Sequence, residues 1–123
     1  MTRTIGSGLA ALFLAIGGGA LVAPRFSAGQ YGVRLADANA DALAFVRAAG
    51  ARDALLGGLI LASLGERAAL RRTLAWSSLV GLIDAGIVLA RRGPRFAHVF
   101  HLGGFAALAL AALALREPPD QAA

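Results

Sequence analysis

Several side chains in this sequence combine chemical reactivity with apolar surroundings, and Asp84 is the clearest of them. It is the one charged residue in the apolar run from 73 to 90. An ionisable group inside a membrane-spanning helix costs about 2.5–3.5 kcal/mol on insertion scales, so it normally faces a partner or a cavity. Asp84 is therefore predicted either to transfer protons or anchor a substrate in a buried cavity, or to form a structural ion pair with an arginine of a neighbouring helix.

Arg52 and Asp53 are a second pair of ionisable residues in an apolar segment. Adjacent side chains leave a helix about 100° apart, so we expect that they do not simply neutralise each other and that each meets another helix. A cross-pair between Arg52 and Asp84 would satisfy both of those charges. Asp53 would then be held by a histidine or by Arg47. The alternative is an interfacial pair of Arg52 and Asp53 at the level of the lipid headgroups.

His98 and His101 lie three residues apart, so on a helix they share one face. Histidine titrates near neutrality and can act as an acid, a base or a metal ligand. Two histidines with carboxylates from other helices resemble the metal clusters of helix bundles only faintly, so no metal is predicted. The open alternatives are an acid/base or hydrogen-bonding role and anchoring at the membrane interface.

These residues define one candidate site. Asp84, Asp53 and His101 are the candidate catalytic groups, and Arg52 is the candidate substrate-binding residue. Such a set would suit isomerisation, cyclisation or epoxide opening without a cofactor, with Arg52 orienting an anionic or carbonyl group. The sequence contains no Walker loop, dinucleotide fingerprint, nucleophile elbow or His-Glu-x-x-His motif, and no cofactor is predicted.

The elements that must position these residues are apolar helices. The chain of 123 residues is 58% hydrophobic and 15% charged, whereas an average soluble domain is about a quarter charged. A small soluble domain cannot bury so large an apolar excess, which favours a lipid environment. We therefore predict an all-α fold, an antiparallel bundle of four transmembrane helices in a single domain, 1–123. The predicted spans are 5–23, 42–64, 73–90 and 96–115.

The first span carries no charge and is long enough to cross the hydrocarbon core of a bilayer. Arg3 before it also fits a signal peptide, but Leu21 and Pro24 around the candidate cleavage point favour an uncleaved helix. Pro24 is expected to end this helix, and the residues after it are expected to be irregular. Asp37 and Asn39 are candidate caps for the next helix.

All twelve basic residues are arginines, and most of them lie at the ends of the apolar runs. This placement is typical of contacts with lipid headgroups, whereas a nucleic-acid-binding face needs basic residues gathered on one polar surface. The predicted partners are the lipid bilayer, a second copy or partner membrane helices, and a lipophilic small molecule, with no nucleic acid. The predicted location is multi-pass in the cell inner membrane. Trp76 and Tyr31 are predicted interface anchors.

Each span also carries small residues at a spacing of four, which let helix backbones approach closely in lipid. The stripes are Ala11, Ala15 and Gly19; Ala54, Gly58 and Ala62; Ser77, Gly81 and Ala85; and Gly103, Ala107 and Ala111. They are candidates for the contacts between helices.

Several short motifs resemble one known family. Gly50-Ala51-Arg52-Asp53 opens the second span, Asp84-Ala85 lies in the third, His101 lies in the fourth, and Pro24-Arg25 and Tyr31-Gly32 follow the first. In these motifs the chain resembles, over most of its length, an uncharacterised family of small four-helix membrane proteins, domain of unknown function 4267. The resemblance implies a membrane location and four helices, and it supplies no activity. The polar residues singled out above coincide with the motif positions of that family.

Three classes of function fit these features. The favoured one is a non-catalytic membrane component, such as an accessory subunit, assembly factor or small transporter half, in which buried Arg–Asp pairs fix the helix register. The second is a membrane-embedded enzyme or binding protein for a lipophilic small molecule, which would use the four residues of the candidate site. The third is a soluble helical bundle buried in an oligomer.

Overall fold

The computed structural model describes residues 2–30 and 40–116 of the chain, and these residues form five helices. The helices are α1 Thr2–Val22, α2 Pro24–Gln30, α3 Ala40–Ala62, α4 Arg67–Ala90 and α5 Arg95–Ala114. Within the described ranges there is no β-strand, so the predicted all-α fold is confirmed. The four long helices, α1, α3, α4 and α5, contain 21, 23, 24 and 20 residues. At about 1.5 Å per residue each of them is long enough to cross the hydrocarbon core of a bilayer.

Three of the long helices are also apolar enough to cross a membrane, whereas α3 is less clearly so. The three are α1 from Arg3 onwards, α4 and α5. The predicted span at 42–64 corresponds to α3, so the helix is present, but its composition alone does not support a fourth crossing. The reason is its charge, because α3 carries Asp41, Arg47, Arg52 and Asp53 within 23 residues.

The chain continues in a helix after Pro24, and the predicted irregular stretch is wrong for residues 24–30. Val22 ends α1, and Pro24 is the first residue of α2. Proline is favoured at the first position of a helix because its fixed φ angle suits the helix and its missing N–H would have no partner there. The predicted caps Asp37 and Asn39 and the predicted anchor Tyr31 lie outside the described residues.

The long helices pack as two antiparallel pairs. α1 lies along α3, α4 lies along α5, and the two pairs meet mainly where α3 faces α4. In the first pair the backbones touch, since a Cβ added to Gly17 would lie 2.5 Å from the carbonyl oxygen of Gly50. In the second pair a Cβ added to Gly81 would lie 2.9 Å from the carbonyl oxygen of His101. We call the line along which α3 faces α4 the seam.

The close contacts follow only part of the predicted small-residue pattern. The stripe of Ser77, Gly81 and Ala85 does face a neighbour, since Gly81 contacts α5 and the other two are buried. The stripe of α1 is exposed, and Gly17 makes the contact with α3 instead. In α5 a Cβ added to Gly103 would meet open space. Spacing alone could not select the right face, because small residues occur on every side of these helices.

The buried apolar core lies at one end of the bundle, where all four long helices meet. Its members are Ala10, Ile60, Leu70, Leu74, Leu108, Ala112 and Leu115. This core end contains the first residues of α1 and α4 and the last residues of α3 and α5. Large apolar side chains are exposed on every long helix, for example Leu12, Leu55, Ile83 and Leu110. A small core with an apolar exterior is the distribution expected of helices surrounded by lipid.

Candidate functional site

The polar residues singled out in the sequence meet at the seam between the two helix pairs. Arg52 and Asp53 lie near the middle of α3, Asp84 lies in the second half of α4, and His101 lies in the second turn of α5. The cluster therefore draws on both helix pairs. We call these four residues the polar cluster.

The guanidinium of Arg52 forms a two-point ion pair with Asp84 across the seam. Its Nη1 donates to Oδ1 of Asp84 at 3.1 Å, and its Nη2 donates to Oδ2 at 2.8 Å. The planar fork of arginine matches the two oxygens of a carboxylate, and charge-assisted bonds of this kind are stronger than neutral ones. The cross-pair predicted from the sequence is therefore present.

The same guanidinium also holds Asp53, its neighbour in the sequence. Nε and Nη2 of Arg52 donate to Oδ1 of Asp53 at 3.1 and 3.0 Å. The prediction that these adjacent residues do not neutralise each other is wrong. Their Cβ directions diverge, but the long arginine side chain folds back so that one edge of its fork reaches Asp53 and another reaches α4. Arg47, a predicted partner of Asp53, donates from Nε to the carbonyl oxygen of Leu21 at 3.3 Å.

His101 contributes to the cluster from α5. Its side chain is 6% exposed, and its Nδ1 lies 3.8 Å from Oδ2 of Asp84. This distance is too long for a hydrogen bond, but a charge on the imidazole would interact strongly with the carboxylate at this range. The ring of Phe100 meets the imidazole edge to face, with 5.6 Å between ring centroids. Asp84 therefore lies between a guanidinium and an imidazole that come from two different helices.

Burial within the cluster is uneven. The side chain of Arg52 is 39% exposed, that of Asp84 is 16% exposed and that of Asp53 is 7% exposed. The arginine thus covers the two carboxylates from outside. Because one guanidinium faces two carboxylates, the ionised cluster carries one more negative than positive charge.

The bonding of Arg52 limits what the cluster can do chemically. Its guanidinium donates four hydrogen bonds to Asp53 and Asp84, so four of its five N–H groups already have acceptors and an anionic or carbonyl ligand could not bind it with two parallel hydrogen bonds unless one of these bonds opened. Asp84 and the buried His101 together provide the two groups of a carboxylate–imidazole acid/base pair. The assigned roles of Asp84, Asp53 and His101 as catalytic groups, and of Arg52 as a substrate-binding residue, stay predictions.

The described part of the chain offers little for metal binding. It contains no group of three or more histidine, aspartate or glutamate side chains that could hold a metal ion. His98 lies one turn before His101 in α5, and its side chain is partly buried. For His98, an acid/base or hydrogen-bonding role and anchoring at the membrane interface stay alternatives.

A second polar contact at the seam was missed in the sequence. Oγ of Ser63 and Oγ1 of Thr73 lie 2.9 Å apart, which connects the end of α3 to α4 near the core end. Ser63 donates its own proton to the carbonyl oxygen of Leu59 at 2.8 Å, so Thr73 is the donor in this contact. The sequence feature that could have predicted this contact is a hydroxyl residue on each side of the polar turn at 65–67.

An open groove follows the seam past the contact of Ser63 with Thr73 and towards the polar cluster. Its volume is about 430 Å³, and it is lined by Leu56, Leu59, Ala69, Arg72, Thr73, Trp76 and Ser77. Leu56 lies one turn after Arg52 in α3, and Ser77 lies two turns before Asp84 in α4. The groove therefore extends from the polar cluster towards the core end. Among these lining residues Arg72 alone carries a charge.

Comparison with known proteins places the chain in a family. The model of a family described as Domain of unknown function (DUF4267) matches residues 10–115. No curated protein and no solved structure matches the chain. The matched range contains the whole polar cluster and all of α3, α4 and α5. The chain therefore belongs to the DUF4267 family, as the resemblance in its motifs implied.

Proposed function

We propose that this protein is a non-catalytic integral membrane component that crosses the membrane four times, with Arg52 joining its two helix pairs. The observation that carries the proposal is the pairing of one guanidinium with two carboxylates. Arg52 donates two hydrogen bonds to Asp53 on its own helix and two to Asp84 on α4. A network in which four of the five guanidinium donors already have acceptors suits a structural link between helices.

The fourth crossing in this proposal is α3. Close backbone contacts connect it to α1 from Gly50 beside Gly17 to Gly57 beside Ala10. An α1 that crosses the membrane would therefore bring α3 to the same depth. Arg52 also neutralises a carboxylate within α3 itself, which lowers the cost of placing this helix in lipid.

The arginines near the helix ends support the placement across a membrane. At the core end they are Arg3, Arg67, Arg71, Arg72 and Arg116, and at the opposite end they are Arg25, Arg47, Arg91, Arg92 and Arg95. Arginines at both boundaries suit contacts with anionic lipid headgroups. The proposal includes the bilayer as a partner, the inner membrane as the location, and a second copy or partner helices on the exposed apolar faces.

A double-mutant cycle tests the structural role of the polar cluster. Arg52→Gln and Asp84→Asn each remove one member of the pair across the seam. Each is expected to lower the free energy of unfolding in detergent micelles by about 1–3 kcal/mol, because Arg52 is only partly buried. The double variant is expected to lose less than the two single losses combined, since Asp84 is then no longer a carboxylate that lacks its arginine, while the bonds from Arg52 to Asp53 are lost equally in the Arg52→Gln single variant and in the double variant.

Arg47→Gln is the matched control on the same helix. Its hydrogen bond to Leu21 is exposed, so its removal is expected to change the free energy of unfolding by less than about 0.5 kcal/mol. Losses at Arg52 and Asp84 that simply add in the double variant would contradict the proposed link.

A topology experiment tests the number of crossings. The sequence contains no cysteine, so a single introduced cysteine is the only thiol that a maleimide can label. Four crossings place Ala40→Cys and Glu66→Cys on opposite sides of the membrane, because Ala40 is the first residue of α3 and Glu66 follows its other end. Labelling of sealed vesicles with an impermeant maleimide should therefore reach one of them and not the other. Equal labelling of both from one side would show that α3 does not cross.

One observation favours a second function, a membrane-embedded enzyme or binding protein for a lipophilic small molecule. The buried imidazole of His101 lies 3.8 Å from Asp84, and this pair could exchange a proton with a bound ligand. In that case His101→Ala and Asp84→Asn would leave the free energy of unfolding unchanged or raise it, because working sites are often kept at the expense of stability. A lipophilic ligand would then raise the unfolding temperature of the wild type and not that of Asp84→Asn.

A further inference from the structure

We infer that the groove along the seam is a binding site for an anionic phospholipid, with one acyl chain in the groove and the headgroup paired with Arg72. This inference rests on the proposed placement of the protein in a membrane. The volume of about 430 Å³ falls in the usual range of small-molecule sites. Its walls are mainly apolar, with Leu56 and Leu59 from α3 and Ala69 and Trp76 from α4.

α3 and α4 are tied together at two separate points, and the groove runs past the first of them towards the second. One tie is the hydroxyl contact between Ser63 and Thr73, and the other is the ion pair between Arg52 and Asp84. Along this line the two helices leave a space that an unbranched chain could occupy. An apolar space without an occupant would lose the dispersion contacts that hold helices together in lipid.

The charge at the groove points to an anionic headgroup. The side chain of Arg72 is 62% exposed, and its ion pair with Glu66 is long, at 3.9 Å, with Glu66 itself 69% exposed. An exposed pair of this kind contributes little and is easily replaced. Arginine binds phosphate with two parallel hydrogen bonds, so a phospholipid phosphate is a stronger partner for it.

The depth of the lining residues fits the same ligand. Arg72 lies near the start of α4, where a headgroup would be, and Trp76 lies one turn, about 6 Å, further into the span. A phosphate bound at Arg72 therefore places the upper part of an acyl chain beside Trp76. A phospholipid with no net charge lacks this electrostatic preference for Arg72.

Trp76 allows a direct test because it is the only tryptophan in the sequence and is 73% exposed. The full chain would be reconstituted in phosphatidylcholine bilayers with increasing amounts of acyl-brominated phosphatidylglycerol or acyl-brominated phosphatidylcholine. Bromine quenches tryptophan fluorescence on contact. We expect the fraction of brominated lipid that gives half-maximal quenching to be about fivefold lower for phosphatidylglycerol than for phosphatidylcholine. This is the preference for an anionic lipid that one arginine at a membrane surface supplies.

Two neighbouring arginines provide the matched variants. Arg72→Gln is expected to abolish the preference for phosphatidylglycerol. Arg71→Gln removes the same charge from the same turn at a position that does not line the groove, and it is expected to keep the preference. Both side chains are exposed, so both variants should fold. Equal loss of the preference in the two variants would overturn the site at Arg72.

A second tryptophan position separates this inference from the membrane proposal. Val99 on α5 is 72% exposed, so Val99→Trp combined with Trp76→Phe reports lipid contact away from the groove. It should be quenched equally by both brominated lipids. Equal quenching at Trp76 as well would overturn the lipid site and leave the membrane placement standing. Quenching at position 99 but not at 76 would show that protein covers the groove, and no quenching at either position would overturn the membrane placement itself.

Discussion

The contacts between the two helices of a pair differ between the first pair, α1 and α3, and the second pair, α4 and α5. Between α1 and α3 the backbones touch at Gly17, Gly50 and Gly57, where a Cβ would meet the partner helix at less than 3.0 Å. Between α4 and α5 a similar approach occurs at Gly81. Towards the core end the second pair packs through leucine side chains, and Arg67 donates to the carbonyl oxygen of Leu115 at 3.2 Å.

This difference shows how each pair can respond to change. In lipid, helices associate through close packing, and glycine allows the closest approach. A backbone cannot move aside as a side chain can, so a contact between backbones should tolerate no added methyl group. We therefore expect the first pair to be the more sensitive to substitution, the second pair to be less sensitive, and the neutral contacts of the seam to be the least sensitive.

The largest effect is expected for Gly17→Ala. The added Cβ would lie 2.5 Å from the carbonyl oxygen of Gly50 and would also meet the backbone of Ala54. Separating α1 from α3 is expected to lower the free energy of unfolding by about 3 kcal/mol. Gly18→Ala is the control, because a Cβ there meets nothing within 4 Å. It should raise the free energy of unfolding by up to about 1 kcal/mol, since alanine is the better helix former.

These values can be measured by titrating detergent-solubilised protein with SDS and following the helical circular dichroism. If Gly17→Ala and Gly18→Ala changed the free energy of unfolding by similar amounts, the evidence for contact between the backbones of α1 and α3 would be removed. The first pair would then resemble the second.

A smaller effect is expected for Gly81→Ala in the second pair. Its Cβ would lie 2.9 Å from both the carbonyl oxygen of His101 and the backbone nitrogen of Phe105. The expected loss in the free energy of unfolding is about 1–2 kcal/mol, because this is a single close approach and side chains make the remaining contacts. Gly86→Ala, where a Cβ meets nothing within 4 Å, is the control in the same SDS titration. A loss at Gly81 as large as that at Gly17 would erase the difference between the pairs.

The contrast between the pairs also explains what could be predicted from the sequence. Charges inside apolar segments have few partners, so the pairing of Arg52 with Asp84 could be predicted without coordinates. The face of α1 that packs on α3 could not, because small residues occur on several faces and spacing cannot tell Gly17 from Gly19. The helix beginning at Pro24 was missed because proline is equally compatible with the end of one helix and the start of the next.

Two features of the candidate site depend on geometry that no helix encodes by itself. The contact of Arg52 with Asp53 follows from the conformation of a long side chain and not from the direction of its Cβ. The groove follows from the separation of α3 and α4 beside their polar ties. The roles of Asp84, Asp53 and His101 in chemistry stay predictions, because side chains brought together in this way serve structure as readily as catalysis.

The smallest effect is expected for Thr73→Val at the seam. This change keeps the shape of the side chain and removes the hydroxyl that donates to Ser63. Hydrogen bonds between membrane helices contribute on average about 0.6 kcal/mol, so the free energy of unfolding should fall by roughly that amount. Ser63→Ala should give a similar loss, and the double variant should lose little more than either single variant. Unlike Arg52→Gln, neither change leaves a charge unpaired. Together they therefore measure how much the neutral hydrogen bond between Ser63 and Thr73 contributes to the free energy of unfolding. A loss at Thr73 larger than that at Gly81 would reverse the order, because the two pairs would then be joined to each other more firmly than α4 is joined to α5.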